Sequence, residues 1–151
     1  MPKIETITFD EILPIWRDHL WPGRESPIET HSAMRWPNTS KYNMEVFDHP
    51  ATFLALREGR EIIGVNSCHW VEGTWWRSRG LWVHPDHRGH AYGVHLLRYA
   101  GQAAKQSGAN LIWSLPRLSS LKTYNRAGYI QVSDPLPTET ADANVYAVCS
   151  L

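Results

Sequence analysis

The sequence predicts one α/β (α+β) domain around a mixed sheet, and three features of the 151-residue chain carry that reading. Alternating apolar and polar residues on either side of Arg57-Glu58-Gly59-Arg60 mark a β-hairpin. A strand, a glycine-bearing loop and an amphipathic helix then follow one another between Trp75 and Gln106. After that helix, residues 109–115 form a nearly continuous apolar run, the pattern of a strand covered on both faces. With 151 residues and 42% hydrophobic content, the chain (1–151) holds one ordinary core and is too short for two comfortable domains.

In order along the chain, residues 3–8 alternate as a short strand. Asp10 is placed to cap a helix running to about His19, with Pro14 in its first turn, and Trp21-Pro22-Gly23 ends it. From 24 to 50 the pattern weakens; Pro27 and Pro37 break it into one short helix (28–34) and irregular chain. Residues 51–56 and 61–71 are the hairpin strands, and Glu72-Gly73-Thr74 turns into a further strand over 75–83. The helix after the glycine loop spans 92–106 and stops at Gly108. A strand over 109–115, a helix over 119–127 and a strand over 129–132 follow. Gly128 suits the left-handed position past the helix end. A last strand over 144–150 comes after a proline-rich loop.

Formal net charge is zero, so no global field favours nucleic acid or an anionic membrane. No apolar run approaches the roughly 20 residues of a membrane span. The opening Met1-Pro2-Lys3-Ile4-Glu5-Thr6 lacks the basic start and apolar stretch of a signal peptide. Only two cysteines occur, Cys68 and Cys149, both in strand-like segments, so a disulfide framework is not expected and a reducing cytoplasm fits best. Eight tryptophans are many for this length, and several lie beside charged residues, which suggests that some line a cavity or an interface, with a homodimer compatible.

The stretch from Leu81 to Ala100 speaks most directly to function. A strand ends at Val83, a proline-containing turn follows, and the loop from Arg88 to Gly93 opens the helix. Glycines there admit a bound group close to the backbone, and the first helical N–H groups with the helix dipole favour a phosphate or pyrophosphate. Gly93 is followed by Val94 and His95, not by the Lys-Ser or Lys-Thr of a nucleoside triphosphatase loop. Gly108, Ala109 and Asn110 stand where a dinucleotide fold would want a carboxylate. Val83, Pro85, Arg88, Gly89, Gly93, Leu96 and Leu97 form a pattern that resembles the acetyl-CoA motif of the GCN5-related N-acetyltransferases (GNAT). Ala91 stands where that family usually has glycine, and Tyr92 where it usually has a small aliphatic residue. A second segment, Ser120 to Ile130, is similar to the family's later helix, with Tyr124 at its tyrosine position and Gly128-Tyr129 at its end. Arg117 stands where the family's asparagine would fall.

The resemblance implies a mostly antiparallel central sheet with flanking helices and a parallel pair of strands, 75–83 and 109–115, that splay apart. It implies acetyl-CoA as cosubstrate, held by Val83, Arg88, Gly89, His90, Ala91, Tyr92, Gly93 and Val94, with a Val83 amide facing the developing oxyanion. It implies Tyr124 as the acid for the leaving thiolate, and a primary amine of a small molecule or peptide as acceptor.

Other constellations are open to more than one reading. His84, His87, His90 and His95 with Asp86 could ligate zinc, but no second ligand cluster completes a tetrahedral site, so no metal is expected. Cys68-His69 invites a nucleophile–base pair, yet adjacent strand residues point to opposite faces, which favours a buried structural cysteine. Arg77 and Arg79, among Trp75, Trp76 and Trp82, either bind an anionic acceptor and stack on the aromatics or form a solvated strand face. Arg88 either meets phosphate or pairs with Asp86. Arg77 occupies the strand position of a glutamate in several relatives and cannot be a base; His69, Glu72 and a water relay stay open. The competing class is a catalytically degenerate CoA-binding or structural protein on the same fold.

Overall fold

The computed structural model describes residues 2–36 and 41–151; the break expected at Pro37 lies outside them. Seven strands form one sheet: β1 (Lys3–Ile7), β2 (Ala51–Glu58), β3 (Glu61–Glu72), β4 (Trp75–Val83), β5 (Leu111–Ser114), β6 (Ile130–Gln131) and β7 (Ala147–Ser150), in the spatial order β1-β2-β3-β4-β5-β7-β6. Every neighbouring pair is antiparallel except β4 and β5, which run parallel. The α-helices are α1 (Phe9–Ile15), α2 (Tyr92–Gln106) and α3 (Leu121–Arg126).

The α2 boundaries agree with the sequence pattern because its apolar stripe is regular: Val94, Leu96, Leu97, Ala100, Gly101 and Ala104 are buried at helical spacing. That stripe packs with α3 on one face of the sheet, over Leu54, Leu56, Ile63 and Ile112. On the opposite face Ile12 of α1 and Trp16 just beyond it cover Phe53, Val65 and Trp82.

The first helix departs from the expectation. Its cap is Thr8, not Asp10: the Thr8 hydroxyl accepts from Glu11 N–H while the Glu11 carboxylate accepts from Thr8 N–H, a reciprocal capping box. Pro14 therefore sits inside the helix and not in its first turn. It removes a backbone donor, and the chain beyond Ile15 continues to Leu20 as a wider turn closed by Trp21 N–H on Trp16 O at 2.9 Å.

The helix expected over 28–34 is absent. Side chains from the sheet take the groups a helix would have used internally. Arg79 Nη1 donates to Glu29 O at 2.9 Å, and Ser32 N–H donates to His69 Nε2 at 3.2 Å. A short 3₁₀ turn, Met44–Asp48, which the sequence pattern did not show, leads into β2.

The feature that positions the site is a fork between β4 and β5. Their pairing covers Trp75–Leu111, Trp76–Ile112 and Arg77–Trp113, and at the branch Ser114 Oγ donates to Ser78 O at 2.9 Å in place of a ladder bond. On its other edge β4 carries a bulge: Val65 faces Trp82 and Ser67 faces Arg79, so Gly80 and Leu81 both oppose Asn66. Gly80 holds φ +79°, and Trp16 Nε1 donates to its carbonyl at 2.9 Å. A Cβ at position 80 would stand 2.3 Å from that indole nitrogen.

Gly80→Ala is therefore expected to lower the unfolding free energy by about 2–5 kcal/mol, from the left-handed penalty and the overpacking together. Denaturant titration checks this; an unchanged midpoint would mean that Trp16 can move aside at little cost.

Candidate active site

The fork opens into a cleft of about 710 Å³ that passes between the two faces of the sheet. Its floor is β4 from Arg77 to Val83, one wall is the loop and first turn of α2, the other is Ser114 to Arg117 with α3, and His19, Leu20 and Trp21 close the far side. Val83, Arg88, Gly89, Ala91, Tyr92, Gly93, Val94 and Tyr124 all line it, so eight of the nine expected site residues converge on one space. His90 does not; it is exposed, with its ring 5.5 Å from that of Tyr92.

The start of α2 is built to leave donors free. His95 N–H is the first to bond back into the helix, on Ala91 O at 3.1 Å. Tyr92, Gly93 and Val94 thus have no intrahelical partner, and Ala91 supplies no capping side chain. Gly89 holds φ +86° and Ala91 φ +62° in the approach, so the chain makes with alanine a left-handed step usually left to glycine. Gly93 serves packing: a Cβ there would meet Thr123 Cγ2 at 3.0 Å, so its bareness lets α3 come up to α2. The Tyr92 ring packs against the core beneath α2.

Backbone direction settles where Val83 points. His84 N–H donates across to Ile63 O at 2.8 Å, so Val83, one residue back, turns its own N–H and C=O towards the fork. Arg88 Nε donates to that carbonyl at 3.1 Å; Asp86 lies instead beside His84. Tyr124 reaches the branch point from α3, hydrogen-bonded with Ser114 and with its ring edge-on to Tyr129 at 5.3 Å. Burial holds its phenol above the ordinary value and outweighs the opposing pull of Ser114 and Arg77, so it stays protonated.

Arg77 and Arg79 do not form a solvated face. They are 9% and 7% exposed, on the α1 side of the sheet, with Arg77 over the Trp113 ring at 4.7 Å and Arg79 over Trp16 at 5.0 Å and Trp21 at 5.1 Å. Burial lowers their pKa values to about 10 and about 9. Both open into the cleft together with Arg88, Arg117 and Arg126, while no aspartate, glutamate or lysine is among the described residues lining it.

Neither residue first considered as a base is available. His69 is fully buried, its Nδ1 bonded to Trp70 O at 2.8 Å and its Nε2 accepting from Ser32 N–H. Glu72 is paired with Arg35. Cys68, on the opposite face, is buried and its thiol is pushed up to about 12, which makes it structural. The loop histidines find separate partners: His84 Nδ1 accepts from Asp86 N–H with its ring edge-on to that of His87 at 5.6 Å, His87 approaches Glu58 at 4.0 Å, and no trio of His, Cys, Asp or Glu converges among the described residues.

Three site features escaped the sequence reading. Gly80 carried a signal, an isolated glycine within a strand pattern. Ser114 and Asn144 carried none; Asn144 enters the cleft from a distant loop and donates to Leu115 O at 2.8 Å, close to where Arg117 replaces the expected asparagine.

Comparison with known proteins fits this geometry. The model of the acetyltransferase (GNAT) family matches residues 13–129. The chain belongs to the GNAT family. GNAT enzymes take their acetyl group from acetyl-CoA, and free N–H groups, a left-handed approach and an arginine-lined cleft suit its phosphates. Comparison with curated proteins finds no match. Among solved structures, the IAA acetyltransferase from Bacillus cereus aligns over 100% of both chains at 16% identity and TM-score 0.68. A GNAT acetyltransferase from Staphylococcus aureus aligns over 99% of each chain at 14% identity and TM-score 0.66. PaiA N-acetyltransferase from Thermoplasma acidophilum, in complex with coenzyme A, aligns over 67% of this chain and 61% of its own at 14% identity and TM-score 0.55. At such identities the likeness is one of fold.

Two outcomes follow from the local chemistry. Ala91→Gly is expected to raise stability by about 1 kcal/mol, because glycine takes the left-handed cap without the Cβ penalty; a denaturation midpoint that falls instead would show the alanine methyl to be useful there. Burial pushes His69 from its usual 6.5 down to about 3, and His31 is shifted the same way. The unfolded chain then binds these protons first, so stability is complete above pH 6.5 and drains as pH falls towards 3. Between pH 7 and pH 5 the loss due to His69 should be about 2 kcal/mol and should vanish in His69→Gln.

Proposed function

We propose that the protein transfers an acetyl group from acetyl-CoA to a primary amine. The observation that carries this reading is the convergence, at one fork, of a donor-rich helix start, an inward-turned Val83 N–H and a buried, protonated Tyr124. Bound acetyl-CoA supplies the thioester carbon as electrophile. The N–H groups of Tyr92, Gly93 and Val94 hold phosphate at the helix start, aided by Gly89 and Arg88. Arg88 must then exchange its bond with Val83 O for a phosphate oxygen, a short swing for an exposed side chain.

The acceptor must arrive as the neutral amine. As the N–C bond forms, its surplus proton leaves through water; His19, stacked on Trp82 at 4.7 Å in the cleft wall, is placed to receive it. Val83 N–H faces the charge that gathers on the carbonyl oxygen. As the C–S bond breaks, Tyr124 gives its proton to the sulfur and recovers one from solvent.

The test is an acetyl-CoA turnover screen over amines, run beside Tyr124→Phe. The variant keeps the ring and its packing on Tyr129, so acetyl-CoA affinity and stability should change little. Turnover should fall by roughly 10²–10⁴-fold, in kcat and kcat/KM alike. An unaltered kcat where chemistry limits the rate would make Tyr124 a packing residue, and absence of acetyl-CoA binding would favour a degenerate or structural role for the domain.

A further inference from the structure

Arg77 and Arg79 are two buried cations; among the described residues only the Glu29 carboxylate acts on either of them, on Arg79 and from beyond ion-pair distance. Nη1 of each donates to the segment above, that of Arg77 to Ser32 Oγ at 2.8 Å and to Met34 Sδ at 4.0 Å, that of Arg79 to Glu29 O at 2.9 Å. Arg77 Nε has no hydrogen-bond partner among the described residues. Among the described residues neither arginine forms an ion pair, although the structure contains ion pairs elsewhere. A buried charge left uncompensated is costly, and a guanidinium fork with free N–H groups is satisfied best by two oxygens of one carboxylate.

Their position gives that demand a purpose. Alternate residues on a strand share a face, so both guanidiniums lie on the α1 side, across the fork from the α2 loop that would hold phosphate. Arg77 stands at the branch, near Tyr124, and Arg79 stands one step nearer the bulge. The described lining offers no carboxylate to attract a second cation, which sets polyamines and aminoglycosides at a disadvantage.

We propose that the acceptor is an amine that also bears a carboxylate, an amino acid or a short amino carboxylate, whose carboxylate seats on Arg77 and Arg79 while its amino group faces the fork. This deepens the transfer reading above and rests on it. The carboxylate fixes the amine's approach, so the preference resides in the acceptor's kcat/KM and not in acetyl-CoA binding.

The experiment compares glycine, β-alanine and 4-aminobutyrate with their primary amides, with 2-aminoethylphosphonate and with cadaverine, in the wild type, Arg77→Met and Arg79→Met. Methionine keeps much of the buried volume and removes the desolvated charge, so both variants should fold, and calorimetry should show acetyl-CoA still bound by each. At least one carboxylate is expected to exceed its amide by about 10–100-fold in kcat/KM, the worth of a charge-assisted pair. Either substitution should erase that margin. Equal use of acid and amide, preference for the phosphonate or the diamine, or a margin that survives both substitutions overturns the proposal. Should no amine be turned over, the transfer reading fails by itself, and melting decides the seat: a rise in Tm with the same amino carboxylates in the wild type but not in Arg79→Met upholds it, and no rise sinks it.

Discussion

The indole of Trp16 bonds to Gly80 O and fills the volume that any side chain at position 80 would need, and the layout of the cleft depends on that contact. The extra residue it accommodates shifts the phase of β4 relative to β3 just before Val83. Phase decides which edge of the sheet each peptide group serves. Past the bulge, Val83 aims its N–H at the fork; without it, the alternation along β4 would run one residue out of step. The same indole is a platform for Arg79, so one side chain shapes the backbone on which the thioester would be polarised and supports a cation on the other face.

Electrostatically the cleft is one-sided. Five arginines line it, and among the described residues no carboxylate shares the lining. In water such an array would be neutralised by counterions. Here burial makes the inner pair expensive and the outer three cheap, so anions of the right length are rewarded at both ends. His31 and His69, beside the inner pair, stay neutral for the same reason, and their ring nitrogens are committed to hydrogen bonds. The polar core on this face is therefore a scaffold.

Much of this was legible in the sequence, and the division between what was and was not has a physical cause. The α2 helix, the hairpin, the two strands of the fork and the loop that opens into the cleft rest on local signals: an apolar stripe, alternation, a glycine loop followed by a helix; the position of Tyr124 comes from the family resemblance. Of the misreadings one is local and the others concern long-range partners. Thr8 outcompetes Asp10 as a cap because Glu11 reciprocates, a local signal that was present in the Thr8-x-x-Glu11 spacing but missed. The segment 28–34 has helical composition, yet Arg79 and His69, about 40 to 50 positions away, hold its backbone groups. Arg77 and Arg79 alternate with uncharged residues as a wet strand face would, and nothing local says that α1 and the following segment will cover them.

The hydrogen bonds from His69, Arg77 and Arg79 to the segment 29–32 have a bearing on how such a domain can diversify. The phosphate half of the cleft is tied to the sheet by the apolar stripe of α2, where one wrong methylene is felt throughout the core. The segment on the other side is attached by three polar tethers, two to its backbone and one to a hydroxyl, with Ile28 and His31 packed beneath it. The exposed positions of that segment can change, and with them the shape of that side of the cleft, while the phosphate side stays as it is. A protein built this way changes clients without renegotiating its core.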